Sequence, residues 1–188
     1  MSDTLLLYFE EDDASASRIT TAANMDKALV QRHRFPDGEM RLRLPPTLPA
    51  RVCLLRTLDH PDPKLIELLL AARSARDLGA RHMTLIAPYL AYMRQDTAFH
   101  PGEVVSQRVI GDFLANLFDA LITVDPHLHR TATLKQAVPV AQSATLSGAP
   151  LLADLIAKHH PQPLLIGPDE ESAQWLGKAA AGHGFDWA

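Results

Sequence analysis

Short apolar runs with no polar alternation recur along the chain: "TLLLYF", "RVCLLRT", "HMTLIAP", "ALITVD" and "PLLIG". A strand that is apolar on both faces must be covered on both, and a parallel sheet flanked by helices is the fold that does this. The stretches between these runs suit amphipathic helices: residues 15–29, 63–78 and 104–117, then "LSGAPLLADLIAKHH" and "EESAQWLGKAAAG". Asp62 followed by Pro63 predicts a helix start, with the carboxylate as cap and Pro at the first position. Gly79 predicts the stop of the same helix. One run differs. In "MRLRL", Met40, Leu42 and Leu44 face one way and Arg41 and Arg43 the other, the pattern of a half-exposed strand. Strands alternating with helices predict an α/β fold, an open and mainly parallel sheet flanked by helices.

The 188 residues suit one domain, or one domain and part of a second. The formal net charge is −4, and neither half is strongly basic, so a phosphate-neutralising nucleic-acid surface is not expected. Cys53 is the single cysteine. That excludes an intrachain disulfide and a thiolate metal cluster, and it fits a reducing cytoplasm. The opening "MSDTLLLYFEEDD" has no basic flank and reads as a first strand rather than a signal peptide. No apolar stretch approaches the ~20 residues a membrane span needs.

In open parallel sheets, ligands bind beyond the carboxyl ends of the strands. In "ITVDPHLHR", Asp125 ends a strand, and His127 and His129 follow at alternate positions. If the backbone stays extended there, both imidazoles point to one side. They suit a divalent ion or proton handling, or equally a capped turn with solvent-facing histidines. In "LLIGPDEES", Asp169 suits an N-cap, and Glu170 and Glu171 complement the helix dipole. Asp169 also suits Mg²⁺ as a hard oxygen ligand. In "YMRQD", Arg94 offers a guanidinium for phosphate oxygens and Gln95 an amide for a base or ribose. The alternative is a surface loop in which Arg94 pairs with Asp96. "FPDGE" has the chemistry of a tight turn, and Phe35 beside Asp37 and Glu39 could also grip an adenine. The chain contains neither a Walker A loop nor a G-x-G-x-x-G fingerprint, and no G-x-S-x-G elbow.

Together and in this order, "RFPDGE", "PYLAYMRQD", "FHPGEVVS", "LITVDPHLH" and "GPDEES" resemble ribose-phosphate pyrophosphokinases. The resemblance implies two phosphoribosyltransferase-like α/β domains, here residues 1–145 and an incomplete second domain at 146–188. It implies transfer of pyrophosphate from ATP to the 1-hydroxyl of ribose 5-phosphate, with Mg²⁺ as cofactor. By the same resemblance, Arg94 and Gln95 contact ATP. His127 is catalytic and sits at the metal–triphosphate end, and Asp169 helps to hold Mg²⁺. Phe35, Asp37 and Glu39 bind the adenine of a neighbouring subunit, so the ATP site is shared within a homo-oligomer, a dimer or hexamer. Neither a nucleic acid nor a membrane is an expected partner. The sequence also departs from the family's pattern. Thr97 and Ala98 stand where many bacterial members are basic, Pro126 replaces a common Leu, and His129-Arg130 has no inherited role. The acidic loop that cradles the ribose phosphate has no counterpart up to Ala188, so this chain alone is expected to be inactive. The alternative function is a non-catalytic, nucleotide-binding regulatory subunit; a phosphoribosyltransferase-like protein with another substrate would need the same missing loop.

Overall fold

The computed structural model describes residues 3–160 and 162–188, apart from the side chain of Glu171, so the expectation for that carboxylate lies outside the described residues. The chain divides into two compact units, Met1–Thr145 and Leu146–Ala188.

In the first unit, β1 (Thr4–Tyr8) leads through a 3₁₀ turn (Glu10–Asp12) into α1 (Asp13–Ala23). The helix ends at Asn24 in the left-handed conformation, a common helix stop. This is earlier than the helix expected over 15–29: residues Asp26–Leu29 form β2 instead. A hairpin follows, β3 (Gln31–Arg34) with β4 (Met40–Arg43). It is a separate two-stranded antiparallel sheet. Then come β5 (Arg51–Leu55), α2 (Pro61–Asp77), β6 (His82–Ala87), α3 (Ser106–Leu117), β7 (Ala120–Val124), α4 (Leu134–Ala137) and β8 (Gln142–Leu146).

The main sheet has the order β2-β1-β5-β6-β7-β8. The β2/β1, β1/β5, β5/β6 and β6/β7 pairs are all parallel. The chain moves outward from β1 to β2, then returns across the hairpin to pair β5 on the other side of β1. That reversal is the topological switch of a doubly wound sheet. Alternate residues serve opposite faces. Leu7, Val52, Leu54, Met83, Leu85 and Leu121 join a core with Leu68, Ala71 and Ala75 of α2 and Leu114 and Leu117 of α3. Leu6 and Leu55 point the other way, into a smaller cluster with Ala16 of α1. Coverage on both faces explains why these strands carry continuous apolar runs.

Two junctions fix the helices. Gly79 follows α2 with φ 120°, and a Cβ there would lie 2.8 Å from the Leu48 carbonyl oxygen, so only glycine fits the stop. The start of α2 differs from expectation: the cap position is His60, with φ 48°, and the helix opens at Pro61. The Asp62 carboxylate is turned instead to the phenol of Tyr92.

The second unit holds α5 (Ala149–His159), β9 (Leu164–Leu165), a 3₁₀ turn (Glu170–Ser172), α6 (Ala173–Ala181) and β10 (Asp186–Trp187). β9 and β10 pair in parallel. Ala149, Ala153, Leu165, Ala179, Ala180 and Phe185 form its own small core. No described helix is long and apolar enough to cross a membrane.

Candidate functional site

The loops leaving β5, β6 and β7 all open at the carboxyl edge of adjacent parallel strands. Among the described residues, four non-glycine residues have positive φ, and three of them lie in these loops: His60 (48°), Tyr92 (63°) and Asp125 (39°). Backbone of this kind costs energy, persists only where the surroundings enforce it, and concentrates at functional sites. The enforcing contacts are visible. The Leu58 N–H donates to the Tyr89 carbonyl at 3.0 Å, and Val124 N–H to the Pro88 carbonyl at 3.3 Å. The Tyr92 hydroxyl donates to Asp62, and that bond, with partial burial and the carboxylate's charge, pushes the phenol pKa up.

The loop after β6 carries Arg94 and Gln95. Arg94 is exposed and has no ion-pair partner among the described residues. The local pairing weighed from the sequence, Arg94 with Asp96, is therefore replaced. Asp96 receives the backbone N–H and a guanidinium N–H of Arg130, each at 3.0 Å, and its side chain is 0% exposed. Burial acts to raise the Asp96 pKa, but the two Arg130 donors and the guanidinium charge outweigh it and hold the carboxyl below its usual range. Gln95 is tied at both ends. Its side-chain amide donates to the Thr97 carbonyl at 3.0 Å, and its own carbonyl accepts from Gln107 N–H at 3.2 Å.

Gln107, buried in the first turn of α3, joins the two loops. Its amide nitrogen donates to the Met93 carbonyl at 3.2 Å, and its amide oxygen accepts from the Thr131 hydroxyl at 2.9 Å. The loop after β7 presents His127 and His129 on one side, as alternation predicts: their rings meet edge to face with centroids 3.7 Å apart. The structure thus brings Arg94, Gln95 and His127 to neighbouring loops at one edge of the first unit.

Phe35, Asp37 and Glu39 occupy the turn of the β3–β4 hairpin. Gly38 there has φ 95°. Gly38 N–H donates to the Phe35 carbonyl at 3.0 Å, Phe35 N–H to the Glu39 carbonyl at 2.8 Å, and Glu39 N–H to Asp37 Oδ1 at 3.1 Å. Phe35 is 39% exposed and meets the His33 ring edge to face. The turn expected from "FPDGE" forms, and it projects an aromatic ring and two carboxylates outward.

Asp169 lies in the second unit. Its Oδ1 accepts the Ser172 N–H at 3.0 Å, and the Ser172 hydroxyl donates to the Asp169 carbonyl at 2.6 Å. The capping role read from the sequence is therefore filled, and the residue remains exposed. No group of three or more His, Cys, Asp or Glu side chains among the described residues forms a metal cage. Mg²⁺ does not need one: it retains waters and takes one or two protein donors together with phosphate oxygens. His127 in the first unit and Asp169 in the second are each, taken separately, a single donor of that kind.

Sequence reasoning missed a buried ionic cluster at the switch between β1 and β5. Arg56, 1% exposed, follows β5 directly. Its Nε and Nη2 contact Glu67 Oε2 at 2.8 and 2.7 Å, and its Nη1 contacts Asp12 Oδ2 at 3.0 Å. Arg32 of the hairpin reaches the other Glu67 oxygen at 2.6 Å and also pairs with Glu11. Arg56 lies 4.6 Å above the Phe9 ring. A cleft of about 680 Å³ opens over this cluster. Its cations are matched by carboxylates, so the cluster serves to anchor the hairpin to the sheet rather than to attract an anion. No periodicity could reveal it, because the partners lie far apart in sequence.

Against known proteins, the N-terminal domain of ribose phosphate pyrophosphokinase matches residues 4–117. A ribose-phosphate pyrophosphokinase of Methanopyrus kandleri is 35% identical over 186 residues, covering 97% of this chain and 62% of that protein. One of Saccharolobus solfataricus is 45% identical over 101 residues, covering 52% of this chain and 35% of that one. The crystal structure of phosphoribosylpyrophosphate synthetase from Mycobacterium smegmatis superposes with a TM-score of 0.84 at 20% identity, covering 98% of this chain and 63% of that one. That last likeness establishes a shared fold. The chain spans less than two thirds of the length of these relatives, and across that span it belongs to the ribose-phosphate pyrophosphokinase family.

Proposed function

We propose that this chain is the ATP-binding portion of a ribose-phosphate diphosphokinase. The observation that carries the reading is the juxtaposition of two loops at the edge of adjacent strands. One holds Arg94 and Gln95 and the other His127, and the Asp96–Arg130 ion pair locks them together. Arg94, exposed and without an ion-pair partner among the described residues, would grip phosphate oxygens, and Gln95 would contact the nucleotide. His127 would stand at the triphosphate as catalytic and metal-ligating group. His127 would offer a donor to Mg²⁺, which supplies charge neutralisation when bound. Asp169, considered within its own unit, would offer a carboxylate to such an ion.

In the reaction, the 1-hydroxyl oxygen of ribose 5-phosphate attacks the β-phosphorus of ATP. The bond from that phosphorus to the α,β-bridging oxygen breaks, AMP leaves, and the hydroxyl proton is lost. Such transfers depend on positioning and charge stabilisation more than on covalent catalysis. Arg94 would orient the chain of phosphates for that in-line displacement. Phe35, Asp37 and Glu39, outward on the hairpin turn, would hold the adenine of a neighbouring subunit in a homo-oligomer. Residues 146–188 would be the first part of a second domain of the same type. The cytoplasm is the compartment that the composition suits.

Calorimetric titration with ATP, with and without Mg²⁺, tests this. Metal-dependent binding that is lost in Arg94→Ala supports it, and no binding at millimolar ATP overturns it. AMP release with ribose 5-phosphate is not expected from this chain alone. Release would refute the inactivity. Its absence, with a full-length synthetase co-purifying, would favour a regulatory subunit.

A further inference from the structure

We infer that Arg130 is a positioning residue that clamps the nucleotide-facing loop after β6 to the loop that carries His127. The inference rests on the proposed ATP site but is carried by different observations. Arg130 touches the loop between β6 and α3 at two points. Its backbone N–H and one guanidinium N–H take the two carboxylate oxygens of Asp96, each at 3.0 Å. The same guanidinium lies 5.6 Å from the centre of the Phe99 ring, in the loop between β6 and α3.

The geometry makes Asp96 the fixed end. Its side chain is 0% exposed while that of Arg130 is 59% exposed. A covered carboxylate with no cation would carry a desolvation cost, so the pair has a reason to stay closed that an ordinary surface pair lacks. Asp96 stands two residues after Arg94 and next to Gln95. Fixing its carboxylate therefore restrains the stretch of loop from which those two side chains project. The Phe99 contact adds a cation–π hold on a ring that is otherwise 62% exposed. The loop it steadies closes on itself only locally, through Phe99 N–H to Glu103 Oε2 at 2.7 Å and Glu103 N–H to the His100 carbonyl at 3.2 Å among the described residues. Positions 97 and 98 are Thr and Ala, so neither residue directly after Asp96 supplies a cation.

The arrangement specifies what the variants do. Arg130→Ala keeps the backbone donor to Asp96 but loses the charge and the ring contact. Arg130→Lys keeps a charge without the planar fork. Asp96→Asn keeps an acceptor without the charge.

Two readouts test the clamp. The first is amide hydrogen exchange on the ligand-free protein, which does not depend on what the site binds. Arg130→Ala should speed exchange at Phe99, Glu103 and Gln107 about tenfold or more and leave the amides of β6 unchanged; Arg130→Lys should fall between. Unchanged exchange at those three residues overturns the inference, and so does an equal acceleration in β6, which would mean general destabilisation. The second is ATP affinity by calorimetry. Arg130→Ala should weaken it about tenfold, and the double variant with Asp96→Asn should be no weaker than the worse single variant. Additive losses, or a loss of affinity with no change in exchange, would make Arg130 a direct ligand contact and overturn the positioning role. If the wild-type chain binds no ATP, the proposed function falls, while the exchange measurement still decides the clamp.

Discussion

Glu67 is the residue on which the buried ionic cluster turns. It is 1% exposed, and its two oxygens hold Arg56 and Arg32 on different sides. Glu67→Gln preserves the shape and removes the charge. Arg56 then keeps Asp12 at 3.0 Å and the more distant Glu11 at 3.4 Å, so its guanidinium is not abandoned. Removing one partner of a buried pair costs about 3–5 kcal/mol, and the surviving partners place this variant at the lower end, about 3 kcal/mol. For a chain of this size that lowers the thermal midpoint by about 6–12 °C. The assay must see the right unit. Both tryptophans, Trp175 and Trp187, lie in the second unit, so tryptophan fluorescence reports on that unit. Far-UV circular dichroism, weighted toward the larger first unit, is the probe for Glu67. Arg32 also loses its 2.6 Å partner, so amide exchange in the β3–β4 hairpin should rise with the loss of stability. A midpoint within 1 °C of wild type by circular dichroism would refute the reasoning, since it would mean that the cluster contributes no net stability.

Further outcomes follow from other contacts. Gly111→Ala in α3 should gain about 1 kcal/mol from helix propensity, yet its Cβ would lie 1.9 Å from the Ala137 carbonyl oxygen. Net destabilisation of about 2 kcal/mol or more by chemical denaturation is expected, because α3 must shift off α4. The Thr123 hydroxyl is buried without a hydrogen-bond partner among the described residues. Thr123→Val should therefore be neutral or stabilising by up to about 1 kcal/mol, and a loss beyond that in the same assay would contradict it. In Glu11, Asp96 and Asp119, burial acts to raise the carboxyl pKa, but arginine partners and, for the two aspartates, backbone N–H donors outweigh it and hold each below its usual range. A folded pKa below the unfolded one contributes stability that is complete above the ordinary carboxylate value of about 4 and is lost as pH falls below it. The thermal midpoint should be level from about pH 7 to 5 and fall steeply below about 4; in Asp119→Asn the acid limb should be shallower.

The parts of the fold that the sequence made legible are those where burial enforces a pattern. β1, β5, β6 and β7 sit inside the sheet, so their apolar runs are continuous, and β4 shows alternation because one face meets the core. The missed strands carry no such pattern. β3 and β8 are exposed at every position, and β2 is an outer strand with a single half-buried residue. Their pairing is set by the chain around them. The site divides in the same way. Arg94, Gln95 and His127 were found because each lies in the loop that directly follows a buried strand. Asp96–Arg130 and Arg56–Glu67–Arg32 were not, because such pairs form only once distant segments meet. Asp62 shows the opposite error: its local chemistry suits a cap, but Tyr92 of a distant loop claims the carboxylate.

The sheet order has a consequence for synthesis on the ribosome. β1 is made first but lies between β2 and β5, and Leu5 pairs with Val52 across the latter boundary. At about 5–20 residues per second, the second partner emerges several seconds after the first strand. During that interval "TLLLY" has one neighbour instead of two, and the face that carries Leu7 still lacks α2 and α3, a condition that favours pairing with another chain. The antiparallel hairpin β3–β4 is available in the meantime, a local structure that can close on the microsecond scale. Nascent chains halted before β5 should therefore be more prone to association than chains halted after it.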